Sequence, residues 1–120
     1  MNQSKPNILF FPFNLLSHYL RCLELAKQYK DTHNILFKSS VKYNSFIEKE
    51  GYGTFDCSDF DAEYVLNNIR KFSFKWLNKK DIKLILLDQI ECIKKLQPDV
   101  VVADMSPSLK MASEITNTKI

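Results

Sequence analysis

Short, unbroken apolar runs alternate along this chain with longer stretches in which apolar residues return every three or four positions. Ile8–Phe13 is a continuous apolar run, the mark of a strand buried on both faces. Tyr19, Cys22, Leu23, Ala26 and Tyr29 then recur at helical spacing and predict a first helix from about Ser17 to Lys30. Asn34–Lys38 reads as the second strand. Ser40 is placed to cap a helix that turns Tyr43, Phe46 and Ile47 inward, and Gly51 to close it. Gly53–Cys57 reads as a short third strand.

Two helical segments follow. Ala62, Val65, Leu66, Ile69 and Phe72 mark the first; Ile82, Ile85, Leu86, Ile93 and Leu96 mark the second, which Gln97-Pro98-Asp99 stops. Val100–Ala103 is a fourth strand, Leu109, Ala112 and Ile115 mark a last helix, and Lys119-Ile120 begins another strand. This order predicts an α/β fold: a Rossmann-like three-layer α/β/α domain around a parallel sheet. Residues 1–120 are one domain's worth of chain, and the fold is expected to be incomplete, part of something longer.

Composition removes several function classes. Net charge is +3, too mild to call for nucleic acid, and no nucleic-acid-binding module is present. Cys22, Cys57 and Cys92 are odd in number and far apart, so neither a disulfide framework nor a metal site is expected, and a reducing cytoplasm is the default setting. Pro12 and Asn14 interrupt the first apolar run, which argues against a secretion signal. There is no G-x-G-x-x-G after the first strand, no G-x-x-x-x-G-K-[ST] and no G-x-S-x-G, which disfavours dinucleotide cofactors, P-loop chemistry and α/β-hydrolases. No cofactor is expected.

In parallel sheets, ligands sit beyond the carboxyl ends of the strands. The first strand's exit carries Ser17, His18 and Arg21; the fourth strand's exit carries Asp104, Ser106 and Ser108. A helix start holds anions and favours a neutral, basic imidazole, so His18 is the leading candidate for chemistry. Its plain alternative is a helix-start residue without a reaction to perform. Arg21 reads equally as an ion-paired side chain, Asp104 as a helix cap, and His33 as plain surface.

With these residues placed, the chain resembles the N-terminal domain of GT-B glycosyltransferases of the UDP-glycosyltransferase-like type. The first matching block is Ser17-His18-Tyr19-Leu20-Arg21-Cys22-Leu23-Glu24-Leu25-Ala26, against G-H-x-x-R/P followed by L-x-L-A. The second is Pro98-Asp99-Val100-Val101-Val102-Ala103-Asp104, against P-D-x-V-V-x-D. The resemblance implies that His18 is the general base toward a hydroxyl acceptor, that Asp104 orients it, and that Ser17, Arg21 and Ser106 bind substrate. It implies a nucleotide-sugar donor bound by a C-terminal domain, absent here, or by a partner chain. The same block resembles UDP-sugar hydrolases of this fold, in which water replaces the acceptor. A non-catalytic half of a split transferase is the alternative from another class. Two departures stand out: Ser17 replaces the family glycine, and the preceding turn, Asn14-Leu15-Leu16, lacks glycine, which removes the close backbone approach that glycine permits.

One further stretch carries its own pattern. Lys71, Lys75, Lys79 and Lys83 recur every four residues, with Phe72 and Trp76 at the same spacing. On a continuous helix they would form a basic stripe flanked by aromatics, suited to an anionic membrane surface through Lys71, Lys75, Trp76 and Lys79. The ordinary alternative is a solvated basic face with Phe72, Phe74 and Trp76 packed inward. An exposed apolar face on a half-enzyme also raises the expectation of a homodimer.

Overall fold

The computed structural model describes residues 5–120. The element order is β1 (Asn7–Pro12), α1 (Leu16–Ala26), β2 (Asn34–Lys38), α2 (Asn44–Lys49), β3 (Gly53–Phe55), α3 (Ala62–Arg70), α4 (Lys79–Leu96), β4 (Val100–Asp104) and α5 (Leu109–Thr116). The strands form a four-stranded sheet in the order β3-β2-β1-β4, and each adjacent pair is parallel. The expected Rossmann-like α/β architecture is what the chain adopts. A parallel bridge between Val100 and Lys119 carries the pairing past β4, where the sequence begins another strand.

The alternation along β1 explains the layers. Ile8 and Phe10 point to one face, where Tyr19, Cys22, Leu23 and Ala26 of α1 and Ile47 of α2 cover them. Leu9 and Phe11 point to the other, under Ile93 of α4 and Leu109 and Ala112 of α5. Phe10 stacks on Phe37 with ring centroids 4.7 Å apart and planes 7° from parallel. Each such large side chain removed from water contributes roughly 1.5–3 kcal/mol. A third cluster, with Phe13, Phe60, Val65, Trp76 and Ile85, closes the carboxyl end of the sheet beneath α3 and the start of α4.

Several boundaries differ from the sequence expectation, each for a local reason. The first helix stops at Ala26 rather than Lys30, because Gln28 and Tyr29 donate to carbonyls only three residues back, Leu25 and Ala26, and the chain tightens into turns. Ser40 does not cap α2; a turn intervenes, in which Tyr43 and Asn44 both donate to the Ser40 carbonyl, and the helix opens at Asn44. The third strand ends at Phe55, two residues before Cys57. Phe72 lies outside α3 at φ 55°, so the helix ends before it. Asn78 then accepts from the Asp81 N–H at 2.9 Å and starts α4 afresh. The lysine stripe is therefore broken between two helices.

Chain direction positions the site. From β1 the chain winds outward through β2 and β3 with α1 and α2 on one face, then returns to the far side of β1 as β4 with α4 and α5 on the other. The neighbouring carboxyl ends of β1 and β4 diverge to opposite faces, the place where open α/β sheets hold ligands.

Candidate active site at the β1–β4 switch point

Pairing in register sets Pro12 opposite Asp104, and the Phe13 N–H extends the ladder to the Asp104 carbonyl at 2.9 Å. Three residues later the chain enters α1 through Leu15, whose backbone is extended and whose side chain offers no cap. His18 thus stands in the first turn of α1, and its Nδ1 lies 2.8 Å from Asp104 Oδ1. The two residues are 86 positions apart in sequence, and strand adjacency alone joins them. Phe13 meets the imidazole edge-on, with ring centroids 5.7 Å apart, and restricts its rotation.

Arg21 completes the cluster. Its Nε donates to Asp104 Oδ2 at 3.0 Å and its terminal nitrogen to Oδ1 at 3.0 Å, a bidentate fork that matches carboxylate geometry. The same terminal nitrogen lies 2.9 Å from His18 Nδ1. Two tautomers compete for that geometry. The 2.8 Å contact with the carboxylate suits an Nδ1 that donates to Asp104, and the 2.9 Å contact with Arg21 suits an Nδ1 that accepts. Nδ1 takes both contacts, and among the described residues Nε2 has no partner. Burial pushes the Asp104 carboxyl up, but hydrogen bonds from Arg21 and His18 outweigh it and hold the group below its usual value. The site therefore contains a carboxylate held in its charged form and an imidazole with one ring nitrogen unengaged.

The other residues singled out from the sequence fall around this cluster differently. Ser17 is exposed at the helix start. Ser106 accepts from Gln89 Nε2 at 2.9 Å, while Gln89 Oε1 accepts from the buried Ser108 hydroxyl at 2.7 Å. Gln89, only 2% exposed, thereby braces the β4–α5 turn from α4. Met105 immediately follows Asp104 at φ 60°, a left-handed conformation uncommon for a side chain of that size. It turns the chain sharply out of β4 while leaving Asp104 in register.

From the sequence Arg21 reads as substrate-binding or as a solvated or ion-paired side chain; its link to Asp104 comes with the fold. The available signal was its position three residues after His18, which puts both on one helical face. A buried ion pair with no sequence signal joins Lys38, at the end of β2, to Asp59, in the segment between β3 and α3. That pair lines a cavity of about 400 Å³ at the strand exits, together with Asn14, Ser39 and Lys42. Trp76, expected at a surface in one reading, is buried at 7% exposure, while Phe72 and Phe74 are 93% and 72% exposed. Among the described residues no group of three or more His, Cys, Asp and Glu side chains is placed to hold a metal ion, and no helix is long and apolar enough to cross a membrane.

No family model and no curated protein matches the chain. Among solved structures, the fold is similar to that of MurG from Acinetobacter baumannii, with a TM-score of 0.60 over 95% of this chain at 12% identity. This chain spans 33% of the MurG chain; the likeness is one of fold, to part of a GT-B glycosyltransferase.

Proposed function

We propose that this chain is the acceptor-side domain of a GT-B-type glycosyltransferase, which moves a sugar from a nucleotide-sugar donor to a hydroxyl acceptor. The observation that carries the reading is the 2.8 Å contact between His18 Nδ1 and Asp104 Oδ1 at the sheet's switch point. His18 Nε2 takes the acceptor's hydroxyl proton as that oxygen bonds to the sugar's anomeric carbon. The bond from that carbon to the nucleotide breaks, and its electron pair leaves with the phosphate. Asp104 stabilises the imidazolium that forms. Arg21 serves as a positioning residue: it keeps Asp104 charged and oriented. The donor is held by a further domain or a partner chain.

The test is donor-dependent UDP release by the gene product that carries this chain, using a panel of UDP-sugars with and without hydroxyl acceptors. His18→Ala is expected to lose about 10²-fold or more, as on removal of a general base. Acceptor-independent release abolished by the same variant would transfer the chemistry to hydrolysis. Equal release by wild type and variant, or none by either, would leave the domain a binding module.

A membrane partner is favoured by one observation. Phe72 and Phe74 are 93% and 72% exposed amid the exposed Lys71, Lys75 and Lys79, a combination suited to an anionic bilayer surface. In this reading Phe72 and Phe74 take the part that the sequence pattern assigned to Trp76. Phe72→Ser with Phe74→Ser should abolish sedimentation with vesicles containing anionic lipid. Equal sedimentation of wild type and variant would remove the bilayer from the account.

A further inference from the structure

Cys57 and Cys92 are separated in sequence yet share one neighbourhood. Cys57 follows β3, Cys92 lies on α4, and both pack against the same core cluster beneath the sheet. The Cys92 thiol donates to the backbone carbonyl of Asp56, the residue before Cys57, at 3.2 Å. The Cys92 thiol thus reaches the peptide bond that leads into Cys57, and each thiol is only partly buried. The segment that carries Cys57 is tied to the same helix next door, where the Ser58 N–H donates to Asp88 Oδ2 at 2.7 Å.

We infer that Cys57 and Cys92 are a redox-active dithiol, a site that takes a hydroperoxide as oxidant and closes to an intramolecular disulfide. Interaction with the neighbouring Cys57 lowers the Cys92 thiol below its ordinary value, against burial and the nearby Asp88 and Glu91. The same interaction and burial raise Cys57. Cys92 is therefore the attacking sulfur. Its thiolate attacks one peroxide oxygen; the O–O bond breaks, a sulfenic acid forms on Cys92, and the departing oxygen leaves as water. The Cys57 thiol then displaces the sulfenic oxygen, the S–S bond forms, and a second water leaves. Two thiols lose two electrons and two protons in all, and one hydrogen peroxide becomes two water molecules. Cys57 lines the strand-exit cavity with Lys38 and Asp59, so the disulfide fastens one wall of that cavity to α4.

Cys22 provides an internal control. It is 4% exposed, sits on the opposite face of the sheet, and burial pushes its thiol up to about 12, so it should stay reduced.

The experiment treats the protein with stoichiometric hydrogen peroxide, alkylates it and maps the products by mass spectrometry. Expected is a loss of about 2 Da, consistent with one S–S bond replacing two thiols, in one monomeric species with a Cys57–Cys92 cross-linked peptide, reversed by dithiothreitol. Oxidised protein should also melt several degrees higher, because the cross-link constrains the unfolded chain. In Cys57→Ser, Cys92 should trap a sulfenic acid that a dimedone probe labels. Intermolecular dimers, cross-links to Cys22, or three thiols left alkylatable would each overturn the assignment, and wild-type mapping alone decides it if the variant fails to fold.

Discussion

Replacing Lys38 with Met tests whether the strand-exit region is held by charge or by packing. Lys38 is 3% exposed as a residue, and its Nζ hydrogen-bonds Asp59, whose side chain is 14% exposed. Met fills nearly the same volume, so the change removes the ammonium and little else; the Lys38 carbonyl still accepts from the Tyr19 hydroxyl. Breaking a buried pair by removing one partner costs about 3–5 kcal/mol, because the other charge is left without compensation. Asp59 retains a hydrogen bond from the Phe60 N–H at 2.8 Å and some access to water, which places Lys38→Met at the lower end, about 3 kcal/mol. At roughly 2 cal/mol/K of unfolding entropy per residue over 120 residues, that corresponds to a melting point lower by about 12 °C. The Lys38→Met, Asp59→Leu double variant should recover to within about 1 kcal/mol of wild type, because no unpaired charge remains. Urea unfolding followed by fluorescence of Trp76, the chain's one tryptophan, measures all four corners of the cycle. A single-variant cost below about 1 kcal/mol, or a double variant as unstable as the sum of the singles, would refute the claim that a desolvated ion pair holds this corner.

Three further outcomes follow from local geometry. Tyr19→Phe removes a buried hydroxyl that donates to the Lys38 carbonyl at 2.8 Å and should cost about 1 kcal/mol in the same urea assay. Gln97 ends α4 in the left-handed conformation at φ 47° and is exposed; Gln97→Gly should therefore gain up to about 1 kcal/mol, read as a rise in the urea midpoint. Asp104 has its folded-state pKa held below the ordinary carboxylate value. Its contribution is thus complete above the unfolded-state value and lost as pH falls through the folded one. The stability gap between wild type and Asp104→Asn should be constant near neutrality and close below about pH 4, measured by thermal melts across pH.

What could be read from the sequence was what depends on near neighbours. β1, β2 and β4 announce themselves as apolar runs because both faces of each are covered, and His18 stands out because it opens the helix after β1. Asp104 was identified as its partner through a resemblance, and the parallel register of β1 with β4 supplies the physical cause. What escaped depends on distant groups. Lys38 reads as the polar end of a strand, and nothing in its surroundings foretells a carboxylate 21 residues on. The aromatic and basic stretch followed a regular four-residue spacing, so the helix break was hidden; Phe72 in a left-handed turn and the Asn78 cap end that regularity. Arg21 was legible by its spacing from His18, yet its role needed Asp104 in place.

The central claim is that Asp104 fixes His18 with its proton on Nδ1 and its lone pair on Nε2, and ¹⁵N-detected NMR of the imidazole tests it most directly. At about pH 8, above the ordinary imidazole range, the His18 signals should report the Nδ1–H tautomer. Asp104→Ala should return the ring toward the Nε2–H form. An Nε2–H ring in the wild type, with Nδ1 accepting from Arg21, would contradict the account: the nitrogen assigned as base would then carry a proton and have no lone pair to offer.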